Sequence, residues 1–340
     1  MNDSYDAILV VSFGGPEGPD EVIPFLENVL RGKNVPRERM LEVAEHYQHF
    51  GGVSPINSQN RALIKALEQE LAAEGPHLPV YWGNRNWDPL LADTLTQMKQ
   101  AGIKRALAFF TSAFSSYSGC RQYREDIQRA QEQVGAGAPE VDKLRMFFNH
   151  PGFIEATVAR AQEALNQIPE ARRDKATVLY SAHSIPLAMA SGCRYEAQLR
   201  ESARLVSAAL GGHPWHLVYQ SRSGPPQQPW LEPDICDFIK TRGAEGDVQD
   251  VVIVPIGFVS DHMEVLFDLD TEAKAVGNDL GINVVRAKTV GVHPRFITMI
   301  RELIEERISG TEERPALGDM GASHDVCPVD CCLRTTDVKR

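Results

Sequence analysis

The sequence predicts an α/β protein made of two similar, doubly wound, Rossmann-like lobes with parallel sheets and a ligand cleft between them. Three observations lead to this fold class. Short apolar runs rich in β-branched residues alternate with longer amphipathic stretches. Most of these runs are continuously apolar, which is typical of strands buried on both faces of a parallel sheet. The runs also fall into two sets, one in each half of the chain.

Seven segments are predicted to be strands, and helical patterns lie between them, for example at 57–74 and 196–210. The strand segments are 7–13, 79–84, 105–111, 176–182, 216–221, 250–256 and 282–288. Regular alternation of such strands with helices favours parallel sheets over an antiparallel sandwich.

The predicted domain organisation has three parts. Residues 1–165 form an N-terminal lobe, 166–310 a C-terminal lobe, and 311–340 a linker with a cysteine tail; the polar stretch 166–175 marks the boundary between the lobes. The composition after about residue 310 predicts a mobile linker. Polar, glycine-rich and aromatic residues follow the predicted strands, at the sheet edge where open α/β sheets bind ligands.

Composition excludes several classes of protein. The 340 residues carry a formal charge of −11, which argues against a general nucleic-acid surface because phosphate binding needs a concentrated basic field. The N-terminus lacks the pattern of a signal peptide, and no apolar run reaches the roughly 18 residues of a membrane span. We expect a cytoplasmic protein without stable membrane insertion, and a monomer, since no dimerising extension is evident.

An acidic segment at 257–274 carries the most chemical information. Ser260 or Asp261 is predicted to cap a helix on which Glu264, Asp268 and Glu272 are spaced i, i+4, i+8 and therefore line one face. Two interpretations remain open: a plain solvated acidic face, or a row of oxygen ligands that draws a hydrated divalent cation into the cleft.

His183 directly follows a buried predicted strand in the same half of the chain, and Pro186 prevents a simple continuation. A lone histidine in such a place is often a satisfied core residue. A neutral imidazole at a strand end can also bind a metal or accept a proton. One imidazole facing one carboxylate provides too few ligands for a structural metal site, which normally has four. The pair suits a metal that must be released, or proton removal from a buried substrate.

Several motifs together carry a family resemblance. They are "VVSFGGPEG", "FLENVLRGK", "HYQHFGGVSPIN", "SSYSGCRQYRED", "SAHSIP" and "SDHMEVLFDLDTEA". In this order, over residues 5–310, the chain resembles the ferrochelatases, and most closely the actinobacterial coproporphyrin III ferrochelatases with a C-terminal iron–sulfur cluster. The resemblance implies the chelatase-like version of the two-lobed fold.

The resemblance also implies roles for individual residues. His183 and Glu264 would be catalytic, would face each other across the porphyrin and would contact the substrate iron. Asp268 and Glu272 would form an acidic path leading away from Glu264.

Four further residues match positions of the family that contact the porphyrin. Ser54 and Tyr123 would lie at its edge, Arg31 would pair with a propionate, and Phe13 lies in the turn that faces the macrocycle. Many Gram-positive relatives carry a tyrosine at this last position that can ligate the product iron, and phenylalanine cannot.

The implied reaction is insertion of Fe²⁺ into coproporphyrin III, which forms Fe-coproporphyrin III (coproheme) in heme biosynthesis. Transient contact with neighbouring heme-pathway enzymes would accompany it. The alternatives are a protoporphyrin IX ferrochelatase, a cobalt or nickel chelatase of the same fold, and a heme- or porphyrin-binding protein without turnover.

The six cysteines do not suggest a disulfide framework in a reducing compartment, and three of them cluster at one end. Thiolates there favour zinc or an iron–sulfur cluster. The resemblance implies a [2Fe–2S] cluster on Cys120, Cys327, Cys331 and Cys332 that pins the tail onto the first lobe, with zinc as the alternative. Cys193 and Cys236 are interpreted as ordinary buried or helix-side thiols.

Overall fold

The computed structural model describes residues 4–32, 35–225, 227–246 and 248–334. Its described strands form two four-stranded sheets in which every pairing is parallel. The strands are β1 (Ala7–Ser12), β2 (Val80–Asn84), β3 (Arg105–Phe110), β4 (Glu140–Lys143), β5 (Thr177–His183), β6 (Trp215–Gln220), β7 (Asp250–Val254) and β8 (Asn283–Arg286).

Helices connect the strands in both halves. The α-helices are α1 (Val22–Val29), α2 (Arg37–His49), α3 (Ile56–Glu74), α4 (Leu91–Gln100), α5 (Gln122–Val134), α6 (Pro151–Leu165), α7 (Glu170–Arg173), α8 (Leu187–Ala190), α9 (Tyr195–Ala209), α10 (Ile235–Glu245), α11 (Lys274–Asp279) and α12 (Pro294–Ser309). A short 3₁₀ helix covers Pro19–Glu21, and two π-helical segments cover Tyr117–Arg121 and Val265–Ala273.

The two sheets have the same strand permutation. The first runs in the order β2-β1-β3-β4 and the second in the order β6-β5-β7-β8. The predicted fold class, two similar doubly wound lobes, is therefore confirmed. All seven predicted strands are present with ends shifted by a few residues, and only β4 was missed, because its sequence "EVDK" is short and polar.

One continuous apolar layer joins the two sheets. It contains the inward-facing residues of both, such as Ile8 and Phe109 in the first sheet and Tyr180 and Val252 in the second, all at most 1% exposed. Smaller clusters cover the opposite face of each sheet. The sheets are thus buried on both faces, as the continuous apolar runs predict.

Two helices cross between the halves. Helix α12 packs on α6 and also on α3 of the first half, while α6 packs on α9 and β7 of the second half. The predicted lobe boundary at 166 lies just after α6 and stays a prediction.

A buried ion pair fixes the start of the segment that follows α12. Arg145 donates from Nε to Glu306 Oε1 at 2.7 Å and from Nη2 to Oε2 at 2.9 Å, with side chains 0% and 6% exposed. The same Nη2 donates to the carbonyl of Pro315 at 2.9 Å. A bidentate pair of this kind is directional, so it aligns α12 with the segment after β4.

The segment after α12 is docked on the protein. The buried side chain of Asn149 donates to the carbonyls of Leu317 and Gly321, both at 3.0 Å, and Leu317 N donates back to Asn149 O at 2.9 Å. Lys143 Nζ donates to His324 O at 3.1 Å. The stretch predicted as a linker thus has backbone hydrogen bonds to side chains of the first half of the chain, and its predicted mobility stays a prediction.

In the part of the chain that the structure describes, no helix combines the length and the apolar character that crossing a membrane requires.

Removing one partner of the buried ion pair should destabilise the fold strongly. Glu306→Gln leaves the Arg145 guanidinium buried beside a neutral amide, and we expect a loss of about 3 kcal/mol in the free energy of unfolding. Glu196→Gln removes an exposed pair with Arg200 and should cost less than about 1 kcal/mol. Urea titration followed by circular dichroism measures both; equal losses would show that the buried pair has no special weight.

Candidate active site

The carboxyl edge of the second sheet brings the predicted catalytic residues together. His183 is the last residue of β5, Ser221 follows the neighbouring strand β6, and Glu264 directly precedes the π-helix Val265–Ala273. Parallel strands end at the same edge, so these side chains converge although they are far apart in sequence. His183 Nε2 and Glu264 Oε2 are 3.7 Å apart.

The backbone fixes the tautomer of His183. Its Nδ1 contacts the carbonyl oxygen of Ser184, which can only accept, so Nδ1 carries the proton of the neutral ring. Its Nε2 therefore presents a lone pair toward Glu264. The hydroxyl of Tyr195 donates to the carbonyl of His183 at 3.0 Å and holds the end of the strand in place. The ring is one-third exposed and accessible from the cleft.

His262 is a site residue that the sequence analysis missed. Its Nδ1 accepts a hydrogen bond from Val265 N at 3.3 Å, and this replaces the predicted cap by Ser260 or Asp261. Burial lowers the pKa of His262, so the ring is neutral and its proton sits on Nε2. That atom lies 4.0 Å from Glu264 Oε2.

The carboxyl group of Glu264 therefore lies between two imidazoles of opposite character. One offers a lone pair and the other an N–H group. Both separations exceed a hydrogen bond, so the carboxyl group retains capacity for a ligand. The only signal in the sequence was the placement of His262 two residues before Glu264.

The predicted row of acids lies on a π-helix where an α-helix was expected: Glu264 directly precedes it, and Asp268 and Glu272 are within it. The wider turn keeps side chains four residues apart on one side, so the row survives the change. Asp268 accepts hydrogen bonds from the Ser221 hydroxyl and from Gln220 Nε2 at 3.3 Å. Burial, together with the charge of Glu264, raises the pKa of Asp268 to about 7.

Glu272 ends the row at an exposed position. Partial desolvation of its carboxyl group and the charge of Asp234 raise its pKa. The row thus runs from the facing histidines, past a buried acid that titrates near neutrality, to the surface.

Arg286, at the end of β8, holds the acidic segment from behind. Its guanidinium binds Asp261 at 3.1 Å and Asp270 at 2.7 Å, and Lys274 also binds Asp270 at 2.7 Å. Asp261 precedes His262, and Asp270 lies between Asp268 and Glu272. Arg286 therefore connects the acidic segment to β8 at two points.

The first lobe contributes an aromatic cluster at the carboxyl edge of its own sheet. Phe13 follows β1 and contacts Phe25 edge-on, with ring centroids 6.2 Å apart. Arg85, which follows β2 and was also missed, lies 4.4 Å above the ring of Tyr123 and 5.7 Å from that of Phe13. It forms a buried ion pair with Asp126. Tyr123 is only 5% exposed, so its ring is part of the wall in this structure.

The other two predicted porphyrin contacts differ in burial. Ser54 is 3% exposed and packs on the turn after β1: a Cβ at Gly15 would lie 2.9 Å from its Oγ, so that turn needs glycine. Arg31 is exposed and donates to Asn28 Oδ1.

Helix α2 of the first lobe contacts the π-helix directly. His46 stacks on Phe267 with ring centroids 3.7 Å apart and planes 10° from parallel. Gln59 Oε1 accepts from Asp261 N at 2.8 Å. Burial and the charge of the nearby Glu264 raise the pKa of Tyr47.

The tail cysteines converge on the first lobe. Cys331 and Cys332 have sulfurs 3.6 Å apart, and Cys120, on the π-helical turn Tyr117–Arg121, is hydrogen-bonded to Cys327. That hydrogen bond, with help from Lys143, lowers the pKa of Cys327 to about 4, so this sulfur is a thiolate at neutral pH. Arg121 binds the carbonyls of Val329 and Cys331.

Four sulfurs in two close pairs fit a thiolate-bound metal centre. Donors on one tetrahedral ion with bonds of about 2.3 Å lie about 3.8 Å apart, close to the observed 3.6 Å. Burial raises the pKa of the Cys193 thiol, and the charge of Cys331 adds to the rise.

Comparison of the sequence with known protein families gives one match over nearly the whole chain. The family model for ferrochelatase matches residues 5–308. The chain belongs to the ferrochelatase family. The resemblance predicted from the motifs is thereby confirmed at the level of the family.

Two relatives illustrate the ferrochelatase match. A ferrochelatase of Rhodopirellula baltica is 62% identical over 334 residues, covering 97% of this chain and 94% of its own. A coproporphyrin III ferrochelatase of Streptomyces coelicolor is 53% identical over 350 residues, covering 96% and 93%.

Solved structures agree on the fold. SirB of Bacillus subtilis with Fe³⁺ superposes with a TM-score of 0.58 at 11% identity, covering 92% of this chain and 99% of its own. DR2241 of Deinococcus radiodurans, described as structurally similar to chelatases, gives 0.54 at 15% identity and covers 94% and 57%. At such identities the likeness concerns the fold alone.

The raised pKa of Asp268 predicts how metal use depends on pH. Below its pKa of about 7 the carboxyl group is neutral, and above it the ionised group attracts a cation. We expect the KM for Fe²⁺ to fall about three- to tenfold between about pH 6 and about pH 8, with the KM for porphyrin much less affected. Steady-state kinetics under anaerobic conditions measure both.

Asp268→Asn should flatten this dependence, whereas Asp237→Asn, on the exposed face of α10, should keep it. An unchanged slope in Asp268→Asn would contradict the assignment of the titration to Asp268.

Proposed function

We propose that this protein inserts Fe²⁺ into coproporphyrin III to form coproheme, with His183 and Glu264 as its catalytic residues. The observation that carries the proposal is the facing pair, 3.7 Å apart, at the cleft edge of a ferrochelatase-family chain. Several relatives named coproporphyrin III ferrochelatases, about 50% identical over nearly the whole chain, support the choice of substrate.

The reaction needs a base and a route for metal. Insertion removes two N–H protons from the porphyrin and replaces the water around Fe²⁺. The lone pair on His183 Nε2 is oriented to accept a proton or to contact the metal. The carboxyl group of Glu264 is the complementary acceptor, and the N–H of His262 faces it at 4.0 Å.

The acidic row serves as the path in this proposal. Asp268 exchanges protons near neutral pH because its pKa is about 7, and Glu272 connects it to solvent. A solvated acidic face explains the row less well, since Asp268 is buried and bonded to Ser221 and Gln220. A binding protein without turnover has no use for such a path.

The porphyrin occupies the cleft between the aromatic cluster of the first lobe and the π-helix. Phe13 supplies an apolar contact and no axial ligand. Ser54 and Tyr123 border the macrocycle, and Arg31 is free of any acidic partner among the described residues, so its guanidinium is available for a propionate. Burying a large flat apolar disc stabilises the complex by about 25 cal/mol per Å² and can offset distortion of the ring.

Coproporphyrin III is preferred to protoporphyrin IX because relatives that match nearly the full chain carry the coproporphyrin name.

We propose in addition that Cys120, Cys327, Cys331 and Cys332 hold a [2Fe–2S] cluster. Their arrangement in two pairs matches two irons with two thiolates each. Such a cluster, when bound, supplies a one-electron centre and a covalent link between the tail and the first lobe. Zinc at the same cysteines is the alternative.

The remaining expectations complete the proposal. The three-part division at 165 and 310, a cytoplasmic location, a monomeric state and transient contact with neighbouring heme-pathway enzymes all accompany a chelatase that receives and passes on a porphyrin.

Glu264→Gln separates a chelatase from a porphyrin-binding protein. The amide keeps the shape but loses the charge, so we expect unchanged coproporphyrin affinity and a fall in kcat of at least about a hundredfold. Anaerobic absorbance follows the collapse of the free-base visible bands after Fe²⁺ is added. The wild-type protein should act faster on coproporphyrin III than on protoporphyrin IX.

Glu245→Gln, on an exposed helix end, is the matched control and should keep full activity. Tight porphyrin binding without insertion in the wild-type protein would leave the binding protein as the function. Faster insertion into protoporphyrin IX would overturn the choice of substrate.

Cys120→Ser tests the tail centre. Loss of the only cysteine ligand outside the tail should abolish the visible absorption and the reduced-state EPR signal of a [2Fe–2S] cluster. Cys236→Ser, on α10, should keep both. Stoichiometric zinc and no iron in the purified wild-type protein would favour the alternative.

A further inference from the structure

A histidine of the tail lies inside the cysteine cluster. His324 Nε2 is 3.8 Å from Cys331 Sγ, and the donor atoms of His324, Cys327 and Cys331 are all within 4.8 Å of one another. Three donors this close surround a single point, which is the arrangement that one metal ion needs.

The spacing fits a tetrahedral ion. With metal–sulfur bonds of about 2.3 Å and metal–nitrogen bonds of about 2.0–2.1 Å, a sulfur and a nitrogen on one ion lie about 3.6 Å apart. The observed 3.8 Å between Cys331 and His324 is close to this value. Two more sulfurs border this group without belonging to it: Cys332 lies 3.6 Å from the sulfur of Cys331, and Cys120 contacts Cys327.

The docked tail holds His324 in this position. Its carbonyl accepts from Lys143 Nζ at 3.1 Å, and the next residue, Asp325, binds Arg314 at 2.6 Å. The Lys143 contact attaches this side of the donor group to the first half of the chain, and the Arg314–Asp325 pair stabilises the tail internally. Cys331 is held on the other side through its carbonyl, which accepts from Arg121 at 3.1 Å.

We propose that His324, Cys327 and Cys331 form a site for a single thiolate-preferring divalent ion, with Cys120 as the fourth ligand through its contact with Cys327. His324 is then a ligand of the one-ion form, whereas Cys332 is needed only by a two-iron cluster. The tail would thus bind one ion with a Cys₃His set and two irons with a Cys₄ set. This site concerns the tail and does not depend on the proposed chelatase reaction.

Cobalt titration of the metal-free full-length protein tests the site. Co²⁺ bound by thiolates gives charge-transfer bands that a nitrogen- and oxygen-ligated ion at His183 and Glu264 does not, so the tail is observed separately from the active site. We expect one equivalent of Co²⁺ to give a tetrahedral spectrum. Cys332→Ser should leave the spectrum and the affinity unchanged.

His324→Ala should weaken Co²⁺ binding at least about tenfold and shift the visible d–d bands, because one nitrogen ligand is lost. His49→Ala, an exposed histidine on α2, is the matched control and should behave like the wild type. Circular dichroism of each metal-free variant shows whether it is folded.

The reverse pattern would overturn the proposal. If Cys332→Ser weakens Co²⁺ binding and His324→Ala does not, the one-ion form uses four cysteines and His324 is not a ligand. Absence of thiolate charge-transfer bands in the folded wild-type protein would also refute it. Neither result bears on porphyrin metallation, which is measured independently.

Discussion

The apolar layer between the two sheets fixes the position of one sheet relative to the other. Ile8 and Phe109 on one side and Tyr180 and Val252 on the other are almost fully buried against shared helices. Close-packed interiors transmit small shifts instead of absorbing them. The carboxyl ends of β1 and β5, which carry Phe13 and His183, are therefore held in a fixed relation. In the proposed reaction, distortion of a bound porphyrin requires that the two sides of its binding site stay fixed relative to each other.

Within this frame the backbone selects the chemistry of the histidines. The two imidazoles near Glu264 are not equivalent. The carbonyl oxygen of Ser184 accepts from Nδ1 of His183, so the lone pair of that ring is on Nε2. The amide of Val265 donates to Nδ1 of His262, so the proton of that ring is on Nε2. The result is a directional site, with an acceptor and a donor on either side of Glu264. Arg286 and Ser221 keep the acidic segment in register behind it.

Sequence reasoning captured most of the fold because burial on both sheet faces leaves a simple apolar signal. It missed β4, whose four residues are mostly polar, and it took a π-helix for an α-helix because acids four residues apart satisfy either geometry. His183, Glu264 and the cysteines were proposed from motifs, and the structure places His183 close to Glu264 and the tail cysteines close together. His262, Arg85 and His324 were not proposed, since each depends on which backbone group or side chain lies opposite. The docking of the tail was invisible because Asn149 and Arg145 are ordinary polar residues until folding buries them.

Ser221 adopts a left-handed backbone conformation, with φ of 61°, that costs a non-glycine residue about 1–3 kcal/mol. Glycine would relieve that cost, yet it would also remove the hydroxyl that binds Asp268. The stability of this loop alone would favour glycine, whereas the hydrogen bond to Asp268 needs the serine hydroxyl. The fold thus carries a local cost in backbone energy at the residue that holds a buried acid in place.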